Sequence, residues 1–412
     1  MIYSGGPGVY VFGDEERAEL NDVIKSGHLS RYGREDDDRF CKKVITLEKE
    51  FASYMGMNYA VATSGGTMSL ICALAALGIG AGDEVIVPGY TFIASISSII
   101  VSNAIPVLAE IDESLTMDPK RIEELITPRT RCLLPVHMLG NPCDMDAILA
   151  IAKKHNLFVL EDCCQSVGGS YKGRMTGSMG DIGAYSLNVH KTISCGDGGM
   201  VTTNSEELYE RAFGYHDQGH KPCRMGVEIG NRSIVGVNMR MNELSGAVAL
   251  AQLRKLPNIL ATLRHKKAVL KEMLKGLPYF RFRTIHDEDG ECATMLTLIF
   301  DTKELAERFG AAIKAKPLAY SGWHCYNNME QILNQVTATK SGCPYNCEKY
   351  PSGMTYHKHM LPQTDDILDR SINISVGVVD AGIGASYGIN ILSPDDEIRA
   401  VGENIRRIVL SL

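Results

Sequence analysis

Short apolar runs alternate with helix-like segments between residues 57 and 213. The seven runs that predict strands are Ala60–Thr63, Glu84–Pro88, Ile105–Ala109, Cys132–His137, Phe158–Glu161, Ile182–Leu187 and Gly199–Thr203. The helical stretches between or after them are Met68–Leu77, Ala94–Ser102, Lys120–Ile126, Met145–Lys154 and Glu206–Phe213. Most of these helices are long enough to serve as right-handed crossovers between parallel strands. The pattern predicts an α/β fold with a mostly parallel seven-stranded sheet.

The rest of the chain is expected to form a smaller α/β unit. Its predicted elements are helices Asn242–Leu253 and Leu263–Leu277, strand Met295–Phe300, helix Glu304–Lys314 and a closing amphipathic helix Asp395–Leu412. Residues 317–365 lack a clear period, so we predict long loops that reach a functional site. We expect a large domain over residues 1–255 and a small C-terminal domain over residues 256–412.

The composition is that of an ordinary soluble globular protein, with 412 residues, 45% hydrophobic and 22% charged. Lys and Arg number 42 against 49 Asp and Glu, so the sequence offers no basic footprint for nucleic acid. No apolar run approaches the roughly 18 residues of a membrane span, and the start MIYSGGPGVY does not resemble a signal peptide. Twelve scattered cysteines suggest reduced thiols. We therefore expect a cytoplasmic protein of enzyme size, with no nucleic-acid or membrane partner.

Two glycine-rich nucleotide motifs are excluded. Gly78, Gly80 and Gly82 follow a predicted helix and precede a strand, the reverse of the order that points a helix N-terminus at a pyrophosphate. The chain contains no G-x-x-x-x-G-K-[ST] phosphate loop.

Ser64-Gly65-Gly66-Thr67 lies between a predicted strand and a predicted helix, which is the order an anion site requires. Small residues let backbone N–H groups approach an anion, and the helix N-terminus favours negative charge. A plain helix N-cap is the alternative interpretation, because Ser and Thr begin many helices.

Two further strands are followed by chemically useful side chains. Asp162 comes directly after a buried run, where its carboxylate could meet a cationic ring nitrogen or simply cap a helix. Lys191 lies five residues after Ser186 in a glycine-rich loop, where partial desolvation would permit Schiff-base chemistry; a solvated loop lysine is the alternative. A pyridoxal 5′-phosphate site requires an anion site, a carboxylate and a lysine. The sequence places all three after strands of one sheet: the Ser64-Gly65-Gly66-Thr67 segment, called the anion cradle below, then Asp162 and Lys191.

Six segments, spread over nearly the whole chain, resemble the DegT/DnrJ/EryC1/StrS family of pyridoxal-phosphate-dependent (sugar) aminotransferases. They are GAGDEVIVPGYTFIAS, ITPRTRCLLPVHMLG, LEDCCQSVGG, GDIGAYSLNVHKTISCGDGGMVTTN, GVNMRMNELSGAVALAQL and LPQTDDILDRSINISVGV. The resemblance implies a fold-type-I transferase with pyridoxal 5′-phosphate as cofactor.

The resemblance also implies residue roles. Lys191 would bind the cofactor covalently and shuttle protons, and Asp162 would pair with the pyridine nitrogen. The other implied cofactor contacts are Gly66, Thr67 and Ser186 at the phosphate, Gln165 at the 3-hydroxyl, Phe92 stacked on the ring, and Asn238 reaching the phosphate across a subunit interface. That last role implies a homodimer with shared active sites.

Three positions depart from or vary within the family pattern. Gly65 stands where relatives often carry Ser or Asn, Asp197 replaces the commoner Glu, and His190 precedes the lysine. Members with His in place of the lysine are dehydratases, so Lys191 favours transamination. We expect ping-pong transfer from glutamate or glutamine to a keto- or aldehydo-sugar or sugar acid. A dehydratase or lyase acting on a deoxysugar, or a cofactor-binding regulator without turnover, are the alternatives.

The expected substrate residues are Tyr32, His137, His220, Arg240, Trp323 and His324. Arg240 could grip the donor carboxylate or form an interface or helix-start salt bridge, and Trp323 could stack on a sugar or lie in the core. Within the family, HM after PV, HDQGH and WHCYNNM are most similar to a branch that aminates the 8-position of a 3-deoxy-octulosonate. A nucleotide-linked keto-hexose and a keto-inositol are alternative acceptors. The two histidines of HDQGH have no evident third ligand, so no metal is expected.

Overall fold

The apolar runs between residues 57 and 213 form one seven-stranded sheet. The computed structural model describes residues 4–34, 36–222, 230–347 and 353–412. In chain order its strands are β1 (Tyr59–Thr63), β2 (Glu84–Pro88), β3 (Ile105–Ala109), β4 (Thr130–Leu133), β5 (Phe158–Asp162), β6 (Ser170–Tyr171), β7 (Arg174–Met175), β8 (Ile182–Ser186), β9 (Gly199–Thr203), β10 (Phe280–Phe282), β11 (Met295–Phe300) and β12 (Ser371–Ser375).

The large sheet has the strand order β1-β9-β8-β5-β4-β2-β3. Strand β9 is antiparallel to both of its neighbours, and the other pairs are parallel. This confirms the predicted seven-stranded, mostly parallel sheet. Because β1, β5 and β8 run in the same direction, their carboxyl ends meet at one edge, which is where ligands bind on such sheets.

One predicted strand is displaced. The run Cys132–His137 was expected to be extended throughout, but β4 ends at Leu133. Pro135 has no N–H to give to the ladder, and beyond it a bridge between Val136 and Asp162 continues the pairing.

The helices cover both faces of the sheet and build the second unit. In chain order they are α1 (Pro7–Tyr10), α2 (Asp14–Ser26), α3 (Lys43–Met55), α4 (Gly66–Ala76), α5 (Ile93–Val101), α6 (Met145–His155), α7 (Glu206–His216), α8 (Glu243–Leu274), α9 (Lys303–Ile313), α10 (Glu330–Leu333), α11 (Pro362–Arg370) and α12 (Asp395–Val409). None of the helices in the described ranges is long and apolar enough to cross a membrane.

The predicted helix over Lys120–Ile126 is wrong. The segment forms two 3₁₀ turns, Pro119–Arg121 and Glu123–Leu125. Ile122 is fully buried, whereas its neighbours are exposed or half-buried. The segment therefore lacks the apolar stripe that supports an α-helix.

The two helices predicted around residues 242–277 are one. Helix α8 runs unbroken from Glu243 to Leu274, with Pro257 inside it. An internal proline costs about 3 kcal/mol, but Leu256, Ile259 and Leu260 are buried beside it, each contributing about 1.5–3 kcal/mol. Burial therefore outweighs the proline, and the expected domain division at residue 255 falls inside this helix.

The C-terminal unit has its own antiparallel sheet, in the order β10-β11-β12. Strand β12 was not predicted, nor were α2 and α3 near the start of the chain. The stretch 317–365, expected to be loops, contains α10, three 3₁₀ turns and the start of α11. Its residues 348–352 lie outside the described residues. The cysteines among the described residues are free thiols.

Candidate active site

A cavity of about 370 Å³ lies at the carboxyl ends of β1, β5 and β8. This volume is in the range of small-molecule sites. The residues that line it include seven of the eight expected cofactor contacts, namely Gly66, Thr67, Phe92, Asp162, Gln165, Ser186 and Lys191. His324, expected to contact substrate, also lines the cavity. The sheet therefore brings the three predicted strand ends into one site.

The N-terminus of α4 forms the anion end of the cavity. No side chain caps this helix, so the plain N-cap interpretation is wrong and the first N–H groups are free to face an anion. A Cβ at Gly66 would lie 2.5 Å from the Ser186 Cβ, so the close approach of β8 requires glycine there. Ser186 places its hydroxyl beside the same helix end.

Gly65, which stands where relatives often carry Ser or Asn, leaves the anion cradle open. A Cβ added at Gly65 would meet nothing within 4 Å, and its extended backbone suits any residue. The glycine therefore leaves open space beside the anion site where relatives often carry a side chain.

Asp162 is held at both carboxylate oxygens. Its Oδ2 accepts a 2.6 Å hydrogen bond from the Ser95 hydroxyl, and its Oδ1 accepts a 3.0 Å bond from the Cys164 N–H. No helix begins after β5 at this point, so the helix-capping interpretation is wrong. The carboxylate is 2% exposed and lines the cavity.

Gln165 and Lys191 border the cavity from neighbouring loops. The Gln165 Oε1 accepts a hydrogen bond from the Leu139 N–H at 3.0 Å, which leaves its amide nitrogen to donate. The Lys191 N–H donates to the Asn188 carbonyl at 3.0 Å. Gly6 packs under the lysine so closely that a Cβ there would lie 2.4 Å from the Lys191 carbonyl oxygen. The backbone at Lys191 is thus held by a hydrogen bond within its own loop and by the close approach of Gly6.

His324 and Phe92 form an aromatic wall, with ring centroids 5.1 Å apart. The His324 Nδ1 bonds to the Gly382 carbonyl oxygen at 3.1 Å. Burial, and then the charge of Lys191, lower the pKa of His324 to about 4. The imidazole is therefore neutral near pH 7, with Nδ1 as its donor and Nε2 as an acceptor.

The structure adds cavity residues that the sequence interpretation missed. They are Thr91, Ser95, Cys164, Asn188 and Asp380. Thr91 and Ser95 are four residues apart, a spacing that places side chains on one helix face and could have been noticed. Asp380 comes from the C-terminal unit, with its Oδ2 3.8 Å from the His190 Nδ1. Nothing local in the sequence pointed to it.

Asn238, Tyr32 and Arg240 lie outside the cavity lining. Asn238 is exposed and accepts a 3.3 Å hydrogen bond from the Arg240 N–H. The Tyr32 hydroxyl and the Arg240 guanidinium both donate to the carboxylate of Asp217, which is fully buried. Arg240 is thus held in an ion pair in this chain, and burial raises the pKa of the Tyr32 phenol above its usual value.

His137 is fully buried and does not reach the cavity. Its Nε2 bonds to the Glu161 Oε2 at 3.0 Å, and its Nδ1 accepts the Cys143 N–H at 3.0 Å. His137, Glu161 and Cys163 have potential ligand atoms within 4.8 Å of one another. The Glu161 oxygens also accept three backbone N–H groups, those of Gly177, Met179 and Gly180. These bonds leave the carboxylate little capacity for a metal, so we interpret the cluster as structural.

His220 and Trp323 also lie outside the lining of the cavity. Trp323 is 61% exposed, so the core interpretation is wrong. His220 lies at the end of the HDQGH turn, where its N–H donates to the Asp217 carbonyl at 2.8 Å.

The model of the DegT/DnrJ/EryC1/StrS aminotransferase family matches residues 11–377. The chain is 43% identical to GDP-perosamine synthase of Caulobacter vibrioides over 219 residues, which is 53% of this chain and 58% of that protein. It is 34% identical to the spore coat polysaccharide biosynthesis protein SpsC of Bacillus subtilis, over 85% of this chain and 89% of that protein. It is 38% identical to a dTDP-3-amino-3,6-dideoxy-alpha-D-galactopyranose transaminase of Aneurinibacillus thermoaerophilus, over 79% and 89% respectively.

Solved structures share this architecture. The crystal structure of 3-amino-5-hydroxybenzoic acid synthase is similar with a TM-score of 0.79 and 25% identity, over 100% of this chain and 99% of that one. DesV of S. venezuelae, solved in complex with a ketimine intermediate, is similar with a TM-score of 0.75 and 28% identity, over 96% and 94%.

Proposed function

The chain belongs to the DegT/DnrJ/EryC1/StrS aminotransferase family, a fold-type-I group that uses pyridoxal 5′-phosphate, and on that premise we propose that it aminates a sugar. The amino group comes from glutamate or glutamine and goes to a keto- or aldehydo-sugar or sugar acid. The two substrates react in turn at one site, in a ping-pong scheme.

The main support for this proposal is that Lys191, Asp162 and the anion cradle at the start of α4 line the same cavity. An uncapped helix N-terminus suits a phosphate group, and a buried carboxylate suits a protonated ring nitrogen. A lysine that lines the same cavity could reach the reacting carbon of a ligand held at both ends.

The residues present fit the cofactor, and we assign them as follows. The N–H groups at Gly66 and Thr67 and the Ser186 hydroxyl would bind the phosphate, and Phe92 would stack on the ring. The Gln165 amide nitrogen, oriented by the Leu139 N–H, would donate to the ring hydroxyl. When bound, the cofactor supplies an electron sink for the bond that breaks at the substrate carbon.

Lys191 would carry the mobile proton. Its ε-amino group would take the proton from the α-carbon of the donor and deliver it, within the same half-reaction, to the cofactor carbon that receives the amino group, acting as general base and then as general acid. The second half-reaction would run the same two transfers in reverse. His324 and Asp380 border the same cavity from the C-terminal unit and would help exclude water from the reacting carbon.

A second copy of the chain is expected to complete the site. Asn238 is exposed, and Val235 and Val237 beside it are 88% and 46% exposed. An apolar surface next to a polar side chain suits a subunit contact. We propose a homodimer in which Asn238 of each subunit reaches the phosphate in the other.

The acceptor class is proposed from the relatives. A GDP-perosamine synthase and a transaminase of a dTDP-linked amino sugar are among the proteins that this chain resembles, which favours a nucleotide-linked keto-hexose. The 8-position of a 3-deoxy-octulosonate and a keto-inositol are the other candidate acceptors. Lys191 occupies the position that is His in the family's dehydratases, which supports transamination over dehydration.

The two half-reactions can be tested separately. Purified protein loaded with pyridoxal 5′-phosphate should lose its yellow absorption on addition of L-glutamate and release one 2-oxoglutarate per site. A panel of keto-sugars should then restore the colour, and the sugar that does so fastest identifies the acceptor. Loss of colour without 2-oxoglutarate would contradict transamination.

A further inference from the structure

A chain of hydroxyl groups leads from the start of α5 to Asp162. The Ser95 Oγ lies 2.6 Å from the Asp162 Oδ2, and the Thr91 Oγ1 lies 2.7 Å from the Ser95 Oγ. Thr91 is 0% exposed and Ser95 is 2% exposed. Both residues line the cavity.

The chemistry of the groups sets the direction of this chain. An ionised carboxylate only accepts hydrogen bonds, so Ser95 must donate its single proton to Asp162. Ser95 can then only accept from Thr91, which must donate to it. The direction Thr91 to Ser95 to Asp162 is therefore fixed.

Thr91 is itself anchored. Its N–H donates to the His324 carbonyl at 3.0 Å, and Tyr90 before it pairs with Cys325 in an isolated bridge. The hydroxyl chain thus begins at a backbone position that the C-terminal unit helps to hold.

We propose that Ser95 is a positioning residue that holds the Asp162 carboxylate toward the pyridine nitrogen, and that Thr91 orients Ser95 for this task. The inference rests on the proposed function, because Asp162 is assigned there as the partner of the ring. The Cys164 N–H fixes one carboxylate oxygen, and Ser95 fixes the other.

The cost of losing Ser95 follows from its burial. If Ser95 lost its hydroxyl, the Asp162 Oδ2 would lose its 2.6 Å donor at a residue that is only 2% exposed, and the carboxylate could turn about its Cβ–Cγ bond. A hydrogen bond to a charged group contributes more than one between neutral groups. The rate of proton abstraction should fall more than the affinity for the amino donor, because the protonated ring stabilises the transition state more than the bound substrate.

Three variants and a matched control test the proposal. Ser95→Ala removes the donor, Thr91→Val removes the group that orients it, and Ser95→Thr restores a hydroxyl. Ser98→Ala is the control, since Ser98 is fully buried on the same helix but its hydroxyl bonds to the Ser95 backbone carbonyl at 3.0 Å.

We expect Ser95→Ala to lower kcat of the glutamate half-reaction about 10- to 100-fold, with the KM for glutamate changed less than about twofold. Thr91→Val should lower kcat less than Ser95→Ala does. The kinetic isotope effect with α-deuterated glutamate should rise in Ser95→Ala, and its dissociation constant for pyridoxal 5′-phosphate, measured by absorption titration, should increase. Ser95→Thr should recover most of the loss, and Ser98→Ala should match the wild type.

A Ser95→Ala protein that binds the cofactor normally, with unchanged kcat and isotope effect, would overturn the inference. If Ser95→Ala does not accumulate, Ser95→Cys provides the same test, because a thiol is a weak donor of similar size. A wild-type protein that shows no cofactor absorption and no half-reaction would instead overturn the proposed function. The two failures are therefore distinguishable.

Discussion

Gly66 and Ser186 are packed so closely that a Cβ on the glycine would lie 2.5 Å from the serine Cβ and 2.9 Å from its Oγ. The contact joins the first residue of α4 to the last residue of β8. It brings a helix N-terminus and a hydroxyl to one point, which is the arrangement that binds a phosphate. The proposed phosphate site therefore requires this close approach of α4 to β8.

Gly66→Ala should weaken binding of pyridoxal 5′-phosphate about tenfold or more. Alanine is the better helix former, so a loss must come from the clash, and overpacking of this kind costs about 1–3 kcal/mol. Gly65→Ala is the matched control, because its Cβ meets nothing within 4 Å. The measurement is an absorption titration of each protein with the cofactor; equal dissociation constants for the two variants would refute the cradle.

Gly6→Ala should displace the Lys191 loop and lower kcat at least about tenfold, because small misplacements of reacting groups are costly. A Cβ there would lie 2.4 Å from the Lys191 carbonyl oxygen and 2.5 Å from the His190 carbonyl carbon, both backbone atoms that cannot rotate away. Gly80→Ala is the control, with its nearest neighbour, the Ser102 carbonyl oxygen, at 3.8 Å. The measurement is kcat of both variants by steady-state kinetics. A wild-type kcat in Gly6→Ala would show that the N-terminal segment does not position the lysine.

Glu161→Gln should lower the free energy of unfolding by about 3 kcal/mol, as expected when a buried charged partner is removed. Burial favours the neutral acid, but the hydrogen bond from His137 and the backbone N–H groups keep the pKa of Glu161 below its usual value. In Glu161→Gln one carboxylate oxygen is replaced by an NH₂ group, which cannot accept the hydrogen bonds that the backbone N–H groups donate to both Glu161 oxygens. Urea unfolding measures the loss, with the exposed Glu124→Gln as control.

The same experiment tests the structural interpretation of the His137–Glu161–Cys163 cluster. A chelator such as EDTA should leave the unfolding midpoint of the wild type unchanged. A midpoint that falls with the chelator and recovers with added zinc would show that these residues bind a metal.

We expect His216 to lower the free energy of unfolding as the pH decreases. Burial, and then the charge of Arg31, lower the pKa of His216 to about 3, against about 6.5 in an unfolded chain. Between these values the unfolded state binds a proton that the folded state does not, so unfolding becomes easier as the pH falls. The contribution from His216 should decrease by about 2 kcal/mol between pH 8 and pH 5.

His216→Gln isolates that contribution. The glutamine can still accept from Arg31, whose Nη1 lies 2.9 Å from the His216 Nε2. The difference in unfolding free energy between wild type and variant should shrink by about 2 kcal/mol from pH 8 to pH 5. A difference that stays constant with pH would rule out the depressed pKa.

The sequence predicted those parts of the fold and the site that depend on local pattern. Apolar runs mark strands because both faces of the sheet are covered, and parallel strands bring their carboxyl ends together whatever the loops do. Ser64, Asp162 and Lys191 could therefore be placed at one edge from their positions after three runs.

The remaining features depend on contacts between distant segments. The continuity of α8 through Pro257 follows from burial on both sides of the proline, which no local propensity records. Asp380 reaches the cavity from beyond β12. The ion pair between Arg240 and Asp217 forms because the HDQGH turn folds back on residue 240.

The most direct test of the proposed function is to locate the lysine that carries the cofactor. Protein loaded with pyridoxal 5′-phosphate is reduced with borohydride, digested, and its peptides are mapped by mass spectrometry. We predict one pyridoxyl group per chain, on Lys191, and none on the Lys191→Ala variant treated in the same way. A stable pyridoxyl group on another lysine, or none in the wild type, would contradict the assignment of Lys191.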